Sequence, residues 1–470
     1  MGLLLAVDIG TTAIKYRVEE ANNNRTLLSK STRITTHLVG AYATQNPTKI
    51  LEQLKKDIVE ISRNYSNIDT IALSTAMHTL IPVEQEQLPQ EMFLWSDNRS
   101  AKVIDDFKQD KEKSRLFYQK TGTPIHPMSP FAKLLYFRLS EEAWYQRVTE
   151  WLDIKSLISR ELTGETVVDY SVASATGIFN SHQLEWDQEI LSFLMLDEKK
   201  LAKVVHPKTR LVLKQEMIEK LGVSVECELL IGASDGCMVA LGSFNQTKSP
   251  LTITLGTSGA VRLLSSVRTL SSEENTFCYY LDEEQWVIGG PTNNGGRVFE
   301  WLSELFYEDK ETLFSKLSDL PQVPHLIFMP YLQGERAPLW DSSQTGTFYG
   351  LTLQHKQPEM IQAVIEGVIF NLFYIFNQLS FSEKENTLVL SGGVFNNQVI
   401  TQMVADIFQK KCYVSSQTEP TQGLKDWCFL VEINEIDGEY YEPSKLKKEY
   451  YEEKYELFCK YLHTPVCCKP

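Results

Sequence analysis

The sequence predicts an α/β fold with two related domains that face each other across a cleft. The chain has 470 residues, which is long for one hydrophobic core. Strand-like apolar runs alternate with longer stretches of helical period, as in α/β proteins. One strand–glycine–hydroxyl pattern occurs near the start of each half of the chain, and this repetition indicates two related units.

The first elements can be assigned in order along the chain. LLLAVDI over residues 3–9 predicts a buried strand, and PTKILEQLKKDIVEISRNY over 47–65 predicts a helix. DTIALSTA over 69–76 predicts the next strand. This order of strand, helix and strand is typical of a sheet covered by helices.

A domain boundary is expected near the middle of the chain. GSFNQTKSP over 242–250 is polar and rich in turn-forming residues, and a new strand follows it. We therefore expect a first domain over residues 1–244, a second over 245–423 and an atypical tail over 424–470.

The repeated pattern is suited to binding phosphate. VDIGTTAIKYRV, residues 7–18, aligns without gaps with ITLGTSGAVRLL, residues 253–264. Gly10 and Gly256 are each followed by two hydroxyl residues, Thr11–Thr12 and Thr257–Ser258, and Lys15 adds a cation to the first copy. Glycine turns supply backbone N–H groups, and the hydroxyls donate to phosphate oxygens. One turn from each domain would hold a nucleoside triphosphate, although a chance match remains the alternative.

Two aspartates follow strand-like runs and are candidates for chemistry. Asp8 ends the first strand, where a carboxylate can hold Mg²⁺; capping of a turn is the alternative. Asp235 follows the apolar run LLIGAS and has small neighbours. An aspartate at the mouth of a cleft can accept the proton of a hydroxyl that attacks a γ-phosphate, whereas a plain Asp-Gly turn is the alternative.

A third cluster predicts a sugar or polyol site. It combines apolar and hydrogen-bonding side chains, as sugar sites do. Its members are Met77, His78, Trp95, Asp97 and Arg99. Each alone is more often structural, so the prediction depends on their occurring together.

Composition narrows the classes of protein and partner. The chain is 43% hydrophobic and 23% charged, which is typical of soluble proteins. A net charge of −15 argues against nucleic acid or an anionic membrane as partner. The N-terminus lacks secretory-signal features, and the eight cysteines show no metal spacing. We expect a reduced, cytoplasmic protein with a small-molecule substrate, and a homodimer is one arrangement we consider.

These motifs together resemble the FGGY family of carbohydrate kinases. The resemblance covers roughly nine-tenths of the chain and is specific because the motifs occur in the family's order. They are DIGTTAIK (8–15), MH (77–78), WSDNR (95–99), ASDG (233–236), TLGTSG (254–259), GERAPLWD (334–341) and SGGVFNN (391–397). MSPFAKLLY (128–136) departs mildly, since Tyr136 stands where the family usually has Trp.

The resemblance implies an actin-like fold of two ribonuclease-H-like domains, with ATP and a sugar meeting in the cleft between them. It implies that Asp8 orients Mg²⁺, that the two glycine turns and Lys15 bind phosphates, and that Asp235 is the catalytic base. Gly296, the Gly392–Gly393 turn and Asn396 correspond to the family's adenosine side.

Within the family, TGTPIHPMSP, VVDYSVASATGIFN and VIGGPTNNGG are most similar to the gluconate kinases. The expected reaction is conversion of D-gluconate to 6-phosphogluconate, and Arg99, His126 and Lys133 are candidates to bind the substrate carboxylate. The alternatives are a xylulose or other polyol kinase, an actin-like ATP-binding protein, or a kinase impaired by its tail. After Gly423 the sequence departs from the family, so we expect weakened ATP contacts beside an intact sugar site.

Overall fold

The structure, a computed structural model, describes residues 2–20, 25–85, 88–306, 309–315, 317, 321–381, 387–415, 419–429 and 439–462. The strands of the first half are β1 (Leu3–Ile9), β2 (Ala13–Glu20), β3 (Arg25–Arg33), β4 (His37–Val39), β5 (Tyr42–Gln45), β6 (Ile68–Thr75), β7 (Ile81–Val83), β8 (Met92–Phe93), β9 (Glu150–Leu152), β10 (Val167–Asp169), β11 (Phe179–Asn180), β12 (Glu185–Trp186), β13 (Lys203–Val205), β14 (Arg210–Val212) and β15 (Glu228–Leu230). Its helices are α1 (Pro47–Ser62), α2 (Ala101–Phe107), α3 (Lys111–Thr121), α4 (Pro130–Ser140), α5 (Glu142–Arg147), α6 (Ile154–Thr163), α7 (Tyr170–Ser174), α8 (Gln188–Leu194), α9 (Gln215–Leu221) and α10 (Asp235–Thr247).

The second half has the strands β16 (Leu251–Leu255), β17 (Gly259–Ser265), β18 (Phe277–Asp282), β19 (Gln285–Thr292), β20 (Ile327–Met329), β21 (Thr347–Tyr349), β22 (Thr387–Ser391), β23 (Lys411–Val414) and β24 (Tyr440–Tyr441). Its helices are α11 (Gly296–Phe306), α12 (Lys310–Ser315), α13 (Gln357–Phe376), α14 (Gln398–Phe408), α15 (Pro420–Cys428) and α16 (Lys448–Leu462).

The two large sheets share the arrangement of their central strands. The first has the order β14-β15-β6-β1-β2-β3, and the second has β18-β19-β17-β16-β22-β23-β24. In each sheet the strand before the repeated turn pairs antiparallel with its hairpin partner and parallel with a later strand, β6 or β22. The predicted repeat is therefore a repeat of structure, with one hairpin turn at the same place in each sheet.

The sequence explains why the central strands lie inside the protein. All seven residues of β1 are buried, as expected for a strand covered by helices on both faces. Asn46 caps α1 by accepting a hydrogen bond from the N–H of Lys49, and the predicted helix over 47–65 is confirmed. The predicted strand over 69–76 is confirmed as β6.

Three apolar clusters hold the chain together. One lies in the first half and one in the second, and a smaller third cluster joins the two halves. The third cluster packs Leu4 and Ala6 of β1 with Met238 of α10 and with Phe277 and Tyr279 of β18. The helix α13 is long and apolar enough to meet a length-and-composition criterion for a membrane span, but 78% of that stretch is buried in the protein.

The turn-rich stretch near residue 243 is helical, contrary to the expectation from composition. Helix α10 continues through it to Thr247 and ends where Lys248 adopts a left-handed conformation with φ of 58°. Gly242 is tolerated because helix α15 packs closely here, so that a Cβ on Gly242 would lie 3.1 Å from the backbone nitrogen of Gly423. The expected boundary at 244/245 thus lies inside a helix, and the division into domains stays a prediction.

Within the part of the tail that the structure describes, residues 424–429 and 439–462, two elements contact the second half. β24 extends the second sheet by pairing with β23, and α16 buries Tyr451 and Phe458 in the core of that half. Lys454 of α16 forms a buried ion pair with Glu366 of α13. The boundary expected at 423/424 falls inside α15, which packs against α10.

Candidate active site

A cavity of about 230 Å³ lies between the two halves of the chain. It brings together six residues that were predicted from the sequence. These are Thr11, Met77, His78, Trp95, Asp235 and Ser258. Four further polar residues line it that the sequence analysis did not select: Thr254, Arg262, Tyr279 and Arg336.

Asp235 is the first residue of α10, directly after the turn that follows β15. One of its oxygens accepts a hydrogen bond of 2.7 Å from the backbone N–H of Gly236. Burial raises the pKa of Asp235, and this effect is opposed by Gly236 and by the charges of Arg262 and Lys155. The carboxylate is therefore a stronger proton acceptor than an exposed aspartate, which suits a general base.

Asp8 lies at the end of β1, opposite Lys15 of β2. The Ser74 hydroxyl donates a hydrogen bond of 2.9 Å to Asp8. Burial and the neighbouring charge of Asp235 raise the pKa of Asp8 to about 7. A divalent cation bound here would relieve the repulsion between these two buried carboxylates.

Among the described residues, no group of three or more His, Cys, Asp or Glu could hold a metal ion. Magnesium is commonly bound by one or two carboxylates, by waters and by the phosphates of its nucleotide. Asp8 is the residue expected from the sequence to supply such a carboxylate.

The first glycine turn and Lys15 make contacts within the protein that the sequence did not predict. The Nζ of Lys15 lies 2.7 Å from the carboxylate of Glu419, so its charge is partly neutralised in this conformation. Thr12 is exposed. Thr11 lines the cavity, and its backbone carbonyl accepts a hydrogen bond from Gln45.

The second glycine turn lies against two other glycine-containing segments. The N–H of Gly296 donates to the carbonyl of Gly256, and the N–H of Arg297 donates to that of Thr257. Gly392 has φ of +107°, and a Cβ there would lie 2.4 Å from the carbonyl oxygen of Leu255. Only glycine fits this close contact. Gly256, Gly296 and Gly392 therefore lie close together at the end of β16.

The surface beside this turn is open. A Cβ on Gly393 would meet no atom within 4 Å among the described residues, and Asn396 is exposed. Gly256 and Thr257 are exposed as well. Four of the residues predicted to bind the nucleotide, Gly256, Thr257, Gly393 and Asn396, are therefore accessible on the second half, whereas Gly296 is buried.

His78 is held in an unusual conformation at the cavity. Its φ of 63° is left-handed, which is uncommon for a residue with a side chain and often marks a functional position. Burial, with the charges of Lys133 and Arg336, lowers the pKa of His78 to about 3. The ring is neutral at pH 7 and is hydrogen-bonded to the backbone of Ala175.

Three buried polar atoms around the cavity have no hydrogen-bond partner within the described part of the chain. They are Nδ1 of His78, the hydroxyl of Tyr279 and Nε of Arg336. An unpartnered buried polar group costs about 1–3 kcal/mol. Their convergence on one cavity indicates that a polar ligand completes these bonds.

Two arginines bring positive charge to this cavity. The guanidinium of Arg336 donates a hydrogen bond of 3.1 Å to the carbonyl of Thr292. Arg262 donates to the Thr254 hydroxyl at 2.8 Å and is coupled electrostatically to Asp235. In this otherwise acidic protein, they are the cations available to an anionic ligand at the cavity.

The cations predicted to bind the substrate carboxylate, Arg99, His126 and Lys133, do not line this cavity. Arg99 forms an ion pair with the buried Asp97 at 2.8 Å, and its guanidinium lies 4.3 Å from the centroid of the Phe93 ring. Arg99 lines a separate cavity with Phe93 and Phe137. Asp97 also accepts from the N–H of Ala43, so the pair anchors the loop that carries Trp95.

Lys133 and His126 also lie outside the cavity lining, and each forms hydrogen bonds with the backbone of neighbouring residues. The Nζ of Lys133 donates to the carbonyls of Pro127 and Met128 at 3.0 and 2.9 Å, and burial lowers its pKa to about 7. Nδ1 of His126 accepts from the N–H of Met128. Burial and nearby cations lower the pKa of His126 well below its usual value.

Comparison with known proteins identifies the family. The profile of the FGGY family of carbohydrate kinases, N-terminal domain, matches residues 3–242, and that of the C-terminal domain matches residues 251–422. The chain belongs to the FGGY family of carbohydrate kinases. Its actin-like pair of ribonuclease-H-like domains, expected from the resemblance, is confirmed.

Individual members of the FGGY family are also similar to this chain. A gluconokinase of Bacillus subtilis is 33% identical over 437 residues, which covers 88% of this chain and 85% of the relative. A ligand-bound xylulose kinase and a gluconate kinase, both from Lactobacillus acidophilus, have TM-scores of 0.91 and 0.89. Each of these two structures is 28% identical and covers 98% of both chains.

Two of the residues that the sequence analysis missed, Arg262 and Arg336, lie within motifs that it quoted. Arg336 belongs to GERAPLWD, and Arg262 belongs to ITLGTSGAVRLL, the second copy of the strand–glycine–hydroxyl pattern. Successive side chains of a strand point to alternate faces, so Arg262 lies on the same face of β17 as Ala260. This alternation could have identified Arg262 from the sequence. No comparable signal in the sequence marks Tyr279.

Proposed function

We propose that this chain transfers the γ-phosphoryl group of ATP to the terminal hydroxyl of a sugar acid, with D-gluconate as the substrate. ATP is the phosphate donor of FGGY kinases. The family, the similarity to gluconokinase and the charge of the cavity support this reading.

The observation that carries the proposal is that Asp235 and two arginines, Arg262 and Arg336, line the same cavity. Asp235 and Arg336 both line it, from opposite halves of the chain, and the charge of Arg262 acts on Asp235. An elongated substrate can therefore place a carboxylate at Arg336 and a hydroxyl at Asp235. Nδ1 of His78 and the Tyr279 hydroxyl, both unpartnered, would bind the hydroxyls between these ends.

The nucleotide would lie along the glycine turns. The exposed Gly256–Ser258 turn and Thr11 at the cavity would donate to the phosphates, and the open surface at Gly393 leaves space for adenosine. Asp8 would hold Mg²⁺, which when bound neutralises charge on the β- and γ-phosphates. Lys15 would reach a phosphate after exchange of its ion pair with Glu419.

The chemistry then follows from these positions. The terminal hydroxyl oxygen of the substrate attacks the γ-phosphorus, and Asp235 accepts the hydroxyl proton. The bond from the γ-phosphorus to the bridging oxygen breaks, so ADP leaves with the electron pair. Arg262, next to Asp235, would stabilise the charge that develops on the transferred group.

Enclosure between the two halves would limit hydrolysis of ATP. The cavity has walls from both halves, including Trp95 and Phe277. Closure on a bound substrate excludes water from the γ-phosphate. A soluble, cytoplasmic enzyme without a nucleic-acid or membrane partner agrees with this role, and a homodimer stays a prediction.

A xylulose kinase is the second candidate, favoured by the TM-score of 0.91 to the xylulose kinase of Lactobacillus acidophilus. A neutral ketopentose would leave Arg336 without an anionic partner, whereas Arg262 faces Asp235 and the transferred phosphoryl group with either substrate. For this reason the sugar acid is the better fit to the charges of the site.

The test is an ADP-release assay that compares kcat/KM for gluconate, xylulose, ribulose and glycerol. We expect the highest value for gluconate. A higher kcat/KM with xylulose or glycerol would overturn the assignment, and no ADP release with any sugar would contradict a carbohydrate kinase activity.

A further inference from the structure

A buried ion pair lies directly behind the proposed catalytic base. Lys155 at the start of α6 and Asp169 at the start of α7 are both fully buried, and their charged groups are 2.6 Å apart. Asp169 also accepts from the backbone N–H groups of Ser171 and Val172. Bringing two charges out of water is unfavourable, and an apolar pair of similar volume is often at least as stable. Stability alone therefore does not account for this pair.

The pair is connected to the segment that leads into Asp235. Besides its bond to Asp169, the Nζ of Lys155 donates a hydrogen bond of 3.0 Å to the carbonyl of Ala233. The hydroxyl of Ser171 accepts from the N–H of Ser234 at 3.2 Å and lies 2.8 Å from its hydroxyl. Residues 233 and 234 immediately precede Asp235, so both bonds act on the backbone that carries the base.

The same segment has one more fixed point, on β6. Ser234 forms a parallel β-bridge with Thr75 at the end of that strand. The backbone before Asp235 is thus held from α6, from α7 and from the central sheet. Phosphoryl transfer depends on the position of the base, and a shift of about 1 Å can lower a rate by about 10²-fold.

We propose that Lys155, held in place by Asp169, is a positioning residue that fixes the backbone before Asp235 and so aligns the base with the substrate hydroxyl. Lys155 does not line the substrate cavity, so its contribution passes through Asp235. The positive charge of Lys155 also lowers the pKa of Asp235, which keeps the base ionised. This inference rests on the proposed function, in which Asp235 accepts the proton.

The test compares the double variant Lys155→Met/Asp169→Asn with the wild type. Removing both charges avoids a buried unpaired ion, and Asn at 169 keeps an acceptor for the cap of α7. We expect kcat to fall by about 10–100-fold, while KM for gluconate and KM for ATP change by less than about threefold.

A control with the same chemistry is available elsewhere in the chain. Lys454 and Glu366 also form a buried ion pair, but in the second half and away from the cavity. The variant Lys454→Met/Glu366→Gln should lower the melting temperature and leave kcat unchanged. An equal fall of kcat in this control would assign the effect of the Lys155 variant to general destabilisation and overturn the inference.

The Asp235→Asn background separates the two proposals. If Lys155 acts through Asp235, adding Lys155→Met/Asp169→Asn to Asp235→Asn should lower kcat no further. A full additional fall of kcat would overturn the positioning role. If Asp235→Asn alone keeps the wild-type kcat, the proposed function of Asp235 fails; if only the Lys155 variant keeps it, the inference alone fails.

Discussion

The guanidinium carbon of Arg336 lies 4.4 Å from the centroid of the Trp95 ring. The two residues come from opposite halves of the chain, so the cation–π contact spans the cleft. It holds the arginine at the cavity wall while Nε stays without a partner in the described residues. A carboxylate can therefore bind there without displacing an existing ion pair.

We expect Arg336→Met to raise KM for gluconate by about 10–100-fold, because a charge-assisted hydrogen bond contributes about 1.5–3 kcal/mol. The kcat/KM for xylulose should change less, since it has no carboxylate. Arg138→Met is a matched control, because Arg138 stacks on Phe193 outside the cavity. Equal losses for gluconate and xylulose would show that Arg336 does not recognise the carboxylate.

The substitution Asp235→Asn should lower kcat by about 10²–10⁴-fold, the usual contribution of a positioned base. Binding of gluconate should be kept, because the amide fits the same space. Steady-state kinetics and calorimetry with gluconate measure the two effects. Asp426→Asn, at another buried aspartate, should leave kcat unchanged. Near wild-type kcat in Asp235→Asn would remove this residue from the mechanism.

The pH dependence should follow the ionisation of Asp235. Burial raises its pKa above the ordinary value of 3.8, and the base acts only when ionised, so kcat/KM for gluconate should fall as the pH drops through this raised pKa. Arg262→Met removes a charge that lowers the pKa and should move the acidic limb to higher pH. A profile that stays flat down to the ordinary range of aspartate would contradict the assignment.

The nucleotide wall can be tested at Gly393. A leucine there meets no described atom at its Cβ position, so the fold should tolerate Gly393→Leu. If adenosine occupies this space, the side chain should weaken ATP binding about tenfold or more, while gluconate binding stays unchanged. Calorimetry with each ligand separates the two. Unchanged ATP affinity would place the adenosine elsewhere.

The sequence predicted those parts of the molecule that local patterns determine. The continuous apolar run of β1 and the glycine–hydroxyl turns sufficed to predict the paired sheets, because strand burial and turn chemistry are local properties. Asp8 and Asp235 could be singled out for the same reason, since each follows an apolar run. Whether they perform the predicted roles awaits the experiments above.

The parts that depend on distant contacts could not be predicted. From the sequence, Arg99 was a candidate to bind the substrate carboxylate. In the structure its guanidinium forms an ion pair with Asp97 and lies over the Phe93 ring. Arg336 comes to the cavity only because the second half folds over the first. The tail appeared foreign to the family, yet Tyr451 and Phe458 pack into the core. Such outcomes depend on three-dimensional packing rather than on periodicity.

The close contact between Gly242 and Gly423 holds the helix of the proposed base at a second point. Asp235 begins the helix that contains Gly242, seven residues earlier, which is about 10 Å along the helix axis. A rotation of α10 by about 10° about this contact would displace Asp235 by about 2 Å, because displacement equals lever arm times angle. That exceeds the error that phosphoryl transfer tolerates. A side chain added at Gly423, whose Cβ would lie 2.1 Å from the carbonyl oxygen of Met238 in α10, would therefore disturb catalysis from a distance by tilting this helix.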